Sequence, residues 1–100
     1  MSAAPLQGGW TVNPGARFVR DYKRLPVDLQ RQVDACLRDL GRQPVPAMRR
    51  LHVISVAGQR PQIFSVDVLS NKSYKISFEV DGGVAILRRV GTHQEIDRSP

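Results

Sequence analysis

Residues 63–93 alternate strand-forming runs with turn chemistry so regularly that they leave this stretch little choice besides an antiparallel meander. Ile63-Phe64-Ser65-Val66-Asp67-Val68 is followed by Ser73-Tyr74-Lys75-Ile76-Ser77-Phe78-Glu79-Val80, and then by Val84-Ala85-Ile86-Leu87-Arg88-Arg89-Val90-Gly91-Thr92-His93. Each run is rich in β-branched and aromatic residues. Asn71-Lys72-Ser73 breaks the first pair. Asp81-Gly82-Gly83 breaks the second, where glycine supplies the positive φ of a tight hairpin. Alternation on the second run sends Tyr74, Ile76, Phe78 and Val80 inward and leaves Lys75 and Ser77 on an open face. On the first run Phe64, Val66 and Val68 point inward, with Ser65 and Asp67 outward. The third run is apolar on both sides, as suits a central strand, until it delivers Arg88, Arg89 and His93 at its exit. A regular strand turns only one of the two arginines towards a groove, and parity does not say which.

A sheet with one apolar face needs a cover, and the N-terminal half supplies it. Asn13-Pro14 reads as a helix start, with Asn13 capping free amides and Pro14 losing nothing at the first helical position. Phe18, Val19, Tyr22 and Leu25 make an apolar stripe at helical spacing. Pro26 ends that helix and suits the first turn of a second. Leu29, Val33, Cys36, Leu37 and Leu40 form the second stripe, and Gly41 is placed to terminate it. The fold class expected is α+β, an N-terminal helix hairpin packed on a small antiparallel β-sheet. Phe18, Tyr22, Leu25, Val33, Leu37, Leu40, Phe64, Val66, Ile76, Phe78, Ile86 and Leu87 are expected to form one core. Residues 1–9 read as a flexible tail and residues 10–98 as a single domain, with Trp10-Thr11-Val12 as a short edge strand. Pro44 and Pro46 forbid a continuing helix, and Met48-Arg49-Arg50-Leu51-His52 is basic. Val53-Ile54-Ser55-Val56 reads as a strand or a packed turn, and Gly58-Gln59-Arg60-Pro61 as a loop.

Fifteen Lys and Arg against nine Asp and Glu leave a net charge of +6. That excess favours RNA, DNA or an acidic protein partner through long-range attraction. The lone Cys36 has no internal disulfide partner and falls on an apolar helix stripe, so a buried, inert thiol is expected. Two histidines, one cysteine and no acidic cluster at ligand spacing argue against a metal site. No glycine loop for a nucleotide phosphate is present, so no cofactor is expected. No apolar run approaches the ~18 residues that span a bilayer. The N-terminal residues lack the charged and apolar regions of a secretory signal. The expected setting is cytoplasmic, away from membranes.

A short strand, a helix hairpin joined at Leu25-Pro26, a basic connection and a meander ending in Gly91-Thr92-His93 together form a pattern. It is carried by Phe18…Tyr22-Lys23-Arg24-Leu25-Pro26, by Ser73-Tyr74-Lys75-Ile76-Ser77-Phe78, and by Leu87-Arg88-Arg89-Val90-Gly91-Thr92-His93-Gln94-Glu95-Ile96. Over residues 10–98 it resembles the RelE/ParE superfamily of type II toxin–antitoxin toxins, and its Gly-Thr-His tripeptide is similar to that of the YafQ-like branch. The resemblance implies a toxin that cleaves mRNA at the ribosome, inhibits translation, and is held in check by a cognate antitoxin in a hetero-oligomer. It implies a catalytic set of His93, Lys75, Arg89 and Arg88, with Arg49, Arg50, His52, Arg60 and Lys72 contacting RNA. An imidazole titrating near ~6.5 serves as acid or base around neutrality, and the cations would neutralise the phosphate. The sequence departs from the YafQ-like pattern in having no histidine around Asp67–Ser73, and from the RelE-like pattern in having no tyrosine after Tyr74. Those departures keep a second class open: a non-enzymatic ParE-like gyrase inhibitor, or a family member that only binds an antitoxin.

Overall fold

The computed structural model describes residues 8–54 and 61–100. Five strands form one sheet in the order β1-β5-β4-β3-β2, where β1 is Thr11–Pro14, β2 His52–Val53, β3 Phe64–Asp67, β4 Tyr74–Asp81 and β5 Val84–Thr92. The meander β3-β4-β5 is antiparallel as the turn chemistry requires, and β2 extends it antiparallel to β3. β1 joins the far edge parallel to β5, with Thr11 opposite Val84 and Pro14 opposite Leu87. That pairing corrects the expected helix start, because Asn13 and Pro14 belong to a strand. Gly15 takes over as the residue before helix α1 (Ala16–Lys23), and its N–H donates to Leu87 O at 2.9 Å. A Cβ on Gly15 would stand 2.8 Å from that carbonyl. Pro14 suits the last register position because the turn into α1 begins there and needs no further ladder donor from it.

Helix α2 (Val27–Leu40) follows a three-residue turn, with Pro26 just before its first turn and Gly41 at its end. Tyr22 Oη donates to Asp34 Oδ1 at 2.8 Å and ties the two helices. That bond and partial burial raise the Tyr22 phenol above its ordinary value, because both favour the neutral hydroxyl.

The core lies between this helix pair and one sheet face. Phe18, Val33, Leu40, Phe64, Val66, Ile76, Phe78 and Leu87 are buried in it, with Tyr22, Leu25 and Leu37 packed against its rim. Trp10 joins them and lies edge-on to Phe78, ring centroids 5.5 Å apart. Ile86 stands outside this cluster, since its register partner is Glu79, on the opposite side of β4 from Phe78. Gly8 and Gly9 adopt positive φ and lead into the core, the Gly9 N–H donating to Arg42 O. Among the described residues no helix is long and apolar enough to cross a membrane. A third helix, α3 (His93–Arg98), is absent from the sequence expectation, which ended β5 at His93.

Candidate functional site

The sheet face turned away from the helix pair carries Ser65 and Asp67 on β3 and, opposite them in register, Ser77 and Lys75 on β4. Strand alternation places them there, but the face is not open. Ser65 and Ser77 are fully buried and Lys75 is 6 % exposed. Part of the cause is α3, which packs against β4 and β5, with Ile96 fully buried beneath it. Among the described residues the Ser65 and Ser77 hydroxyls have no hydrogen-bond partner. Arg50 Nε stands 3.3 Å from Asp67 Oδ2, within ion-pair range but without hydrogen-bond geometry, so the Asp67 carboxylate also lacks hydrogen bonds.

Helix α3 begins where the Gly-Thr-His tripeptide ends. Thr92 Oγ1 accepts from the Glu95 N–H at 3.2 Å and Glu95 Oε1 accepts from the Thr92 N–H at 2.8 Å, a reciprocal capping box. These bonds pull the Glu95 carboxyl below the usual glutamate range, because a carboxylate accepts them better than an acid does. A Cβ on Gly91 would meet Glu95 Oε1 at 2.8 Å, so a larger residue there must displace the carboxylate of this cap. The His93 N–H donates to Ser73 O at 2.9 Å, pinning the start of α3 to the β3–β4 turn.

One helical turn later, Asp97 Oδ2 lies 2.6 Å from His93 Nε2 while its Oδ1 lies 3.7 Å from Lys75 Nζ. A strand lysine, a helix carboxylate and an imidazole are thereby joined at one end of the sheet. His93 and Asp97 are both about half-exposed, at 48 % and 47 %. Asp97 Oδ2 stands within ion-pair range of Nε2 without hydrogen-bond geometry, and a ring that carries its proton on Nε2 leaves Nδ1 with its lone pair. The arrangement sets an imidazole that can accept a proton, a cation, and a carboxylate between them.

The two arginines are set by a break in β5. Ser77 pairs with Arg89 but Phe78 pairs with Leu87, so Arg88 is the extra residue of a β-bulge. The parity rule for a regular strand therefore does not apply. Arg88 forms an ion pair with Glu79 and donates to Pro100 O. Arg89 pairs through Nε and Nη2 with the two carboxylate oxygens of Asp21 on α1, at 3.1 and 3.3 Å, and donates to Ser99 O. Hydrogen bonding to Asp21 raises the Arg89 guanidinium further above its already high value. Asp21 Oδ2 also accepts the Val90 N–H, so this carboxylate locks α1 to β5.

No family model and no curated protein matches the sequence. Solved structures do. The chain superposes on YafQ from Escherichia coli strain BL21(DE3) with a TM-score of 0.62 at 13 % identity, covering 87 % of this chain and 97 % of that one. A chain of the RelB–RelE antitoxin–toxin complex from Methanococcus jannaschii matches with a TM-score of 0.57 at 22 % identity, over 87 % and 98 % of the two chains. A chain of the E. coli DinJ–YafQ toxin–antitoxin complex gives 0.60 at 14 %, over 88 % and 97 %. The chain has the RelE/YafQ toxin fold.

Within that toxin fold, the structure gathers His93 and Lys75 and leaves the basic connection more divided. Arg49, expected at an RNA-contacting surface, is instead buried. Its Nε bonds Asp39 at 2.8 Å and its Nη1 bonds the carbonyls of Asp67 and Val68, clamping the end of β3 to α2. Arg50 is 57 % exposed at its side chain and reaches Asp67. His52 lies on β2 opposite Ser65, and its Nδ1 must donate to Arg50 O at 2.5 Å, since a carbonyl only accepts. Three strand spacings of ~4.8 Å separate β2 from β5, so about 14 Å of sheet lie between His52 and the His93 strand. Lys72 is exposed at positive φ in the β3–β4 turn, beside the Ser73 carbonyl that holds His93. Arg60 lies outside the described residues.

Sequence reasoning missed Asp97 and Asp21. The signal for Asp97 was present: Thr92-x-x-Glu95 is a capping-box spacing, and a helix begun there puts position 97 one turn from His93. Asp21 gave none, because its partners lie on β5, far along the chain. Among the described residues no group of three His, Cys, Asp or Glu is gathered as a metal cluster.

Proposed function

We propose that this protein is the toxin of a toxin–antitoxin pair and cleaves mRNA at the ribosome as an endoribonuclease, inhibiting translation in the cytoplasm. The observation that carries this reading is the Asp97 bridge between His93 Nε2 and Lys75 Nζ. The 2′-hydroxyl loses its proton to His93 Nδ1 as its oxygen attacks the adjacent phosphorus. The bond to the 5′-oxygen then breaks, and that oxygen takes a proton from solvent or from the imidazolium. The products are a 2′,3′-cyclic phosphate and a 5′-hydroxyl. The Asp97 carboxylate beside Nε2 favours the tautomer that exposes Nδ1, and Lys75 offsets charge growing on the phosphate oxygens. The ribosome would supply substrate geometry that so small a catalytic set lacks. Arg50, His52 and Lys72 are assigned to the RNA rim. Arg88 and Arg89 stand behind it with their charge balanced by Glu79 and Asp21. Arg49 is assigned a structural role.

The antitoxin assignment rests on likeness to toxins crystallised with RelB and DinJ, and on a net charge of +6 that suits an acidic partner. Expression in a bacterial host followed by primer extension on cellular mRNA tests the chemistry. New mRNA 5′ ends are expected with wild type and not with His93→Ala. Growth arrest with intact mRNA would overturn the nuclease reading. The pairing of Arg88 with Glu79 and Arg89 with Asp21 favours a second reading, in which the protein binds a target such as DNA gyrase without cutting RNA. Altered plasmid supercoiling with intact mRNA would select it.

A further inference from the structure

Arg17 and Arg20 on helix α1 and Arg24, the residue that caps its C-terminal end with helical backbone angles, follow at offsets of three and four, so they share one stripe. All three are exposed, and none has a carboxylate within ion-pair distance among the described residues. They line a cleft of about 200 Å³ with Asp21 and Arg89. Asp21 does not neutralise the stripe, because its two oxygens are engaged by Arg89 and the Val90 N–H. A second hollow of about 120 Å³ shares Asp21, Arg24 and Arg89 with the first and continues past Leu25, Tyr74 and Val90 to Gly91 and Glu95. The cationic cleft on α1 therefore adjoins a charge-balanced hollow at the capped start of α3.

We infer that the Arg17–Arg20–Arg24 stripe binds the phosphate backbone of a single RNA strand. This rests on the RNA-directed reading above and adds a binding segment distant from the Lys75–Asp97–His93 group. Guanidinium forks match phosphate oxygens bidentately and stay charged at all accessible pH. Every residue lining the cleft is charged. A protein partner held tightly draws on buried aromatic or aliphatic anchors, which this cleft does not offer. A nucleic-acid backbone needs only cations. Positions 17 and 24 lie about 10 Å apart along the helix at 1.5 Å per residue, room for two or three backbone phosphates.

The test is equilibrium binding of a 2′-O-methyl oligouridylate of about twenty nucleotides over a salt series. That strand lacks the attacking hydroxyl, so binding is read independently of cleavage, and primer extension continues to judge the nuclease reading separately. For single strands each phosphate contact contributes about 0.7 to the slope of log affinity against log salt. The Arg17→Gln/Arg20→Gln/Arg24→Gln variant is expected to reduce that slope by about 2, and Arg20→Gln alone by about 0.7. Arg31→Gln/Arg38→Gln/Arg42→Gln, a charge-matched change on α2 and its C-terminal turn, is expected to leave the slope near wild type. Poly-L-glutamate serves as an acidic-polypeptide probe and is expected to lose less affinity than the oligonucleotide. An unchanged RNA slope in the α1 variant, with a wild-type circular dichroism spectrum, would overturn the proposal. So would an equal or greater loss for poly-L-glutamate, which would assign the stripe to an acidic protein.

Discussion

In the proposed mechanism His93 and Asp97 divide one task between a group that moves a proton and a group that aims it. His93→Ala is expected to lower ribosome-dependent cleavage by ~10²–10⁴-fold, the usual contribution of a positioned acid or base. Asp97→Asn should cost on the order of 10-fold to 10²-fold, the scale at which orienting partners act. That loss should fall on kcat rather than KM, because the amide can also donate to Nε2 and present the wrong tautomer. A larger effect on KM would make Asp97 a substrate contact instead. Cys36 illustrates the opposite case, a reactive group made inert. It is buried, and burial pushes its thiol up to about 12. The unfolded thiol ionises near ~8.5 and the folded one does not, so stability from this site is complete below that pH and lost as pH rises through about 12. Thermal unfolding above pH 9 should therefore fall less steeply in Cys36→Ala than in wild type, and native Cys36 should resist a thiol reagent until the protein unfolds. The stripe of apolar neighbours made this burial legible in the sequence. The engagement of Arg49 was not, since its Asp39 and β3 partners converge only once the chain has folded.

At the scale of the element, α3 determines whether the site exists. Six residues are too few to hold a helix by propensity, so its cap and its buried Ile96 carry it. Thr92→Ala should cost about 1 kcal/mol and lower cleavage as well, because a frayed α3 removes Asp97 from His93. Acid should do the same. Glu95 is held below the usual carboxylate range, so its contribution is present above ~4.3 and disappears as pH falls through its lower folded value. The stability difference between wild type and Glu95→Ala, read by urea unfolding, should narrow as pH drops below ~4. A constant difference down to pH 2 would assign Glu95 a packing role only. The helix hairpin and the meander were readable because their periodicity is local. The start of α1 was misread since Asn13-Pro14 is also a sound strand end once β5 lies beside it. The buried polar face followed from alternation in direction but not in burial, because α3 lay outside the expected elements.

For the whole molecule, the aromatic contact of Phe78 with Trp10 and Phe64 joins the N-terminal segment to the middle of the sheet. Phe78→Ala should cost ~3–5 kcal/mol. Against a total of ~5–15 kcal/mol for such a domain, that is a large fall in the denaturation midpoint. A change under about 1 kcal/mol would show that the core closes over the gap. The order of the sheet was the least legible feature, since nothing near residue 11 announces a parallel partner at residue 84. That same pairing has a consequence in time. During synthesis at ~5–20 residues per second, β1 and the helix pair emerge several seconds before the strand they lean on. The nascent chain spends that interval with its apolar helix faces uncovered and no His93. The group formed by Lys75, His93 and Asp97 is therefore the last part of the molecule to be assembled, whatever the rest of the chain has already become.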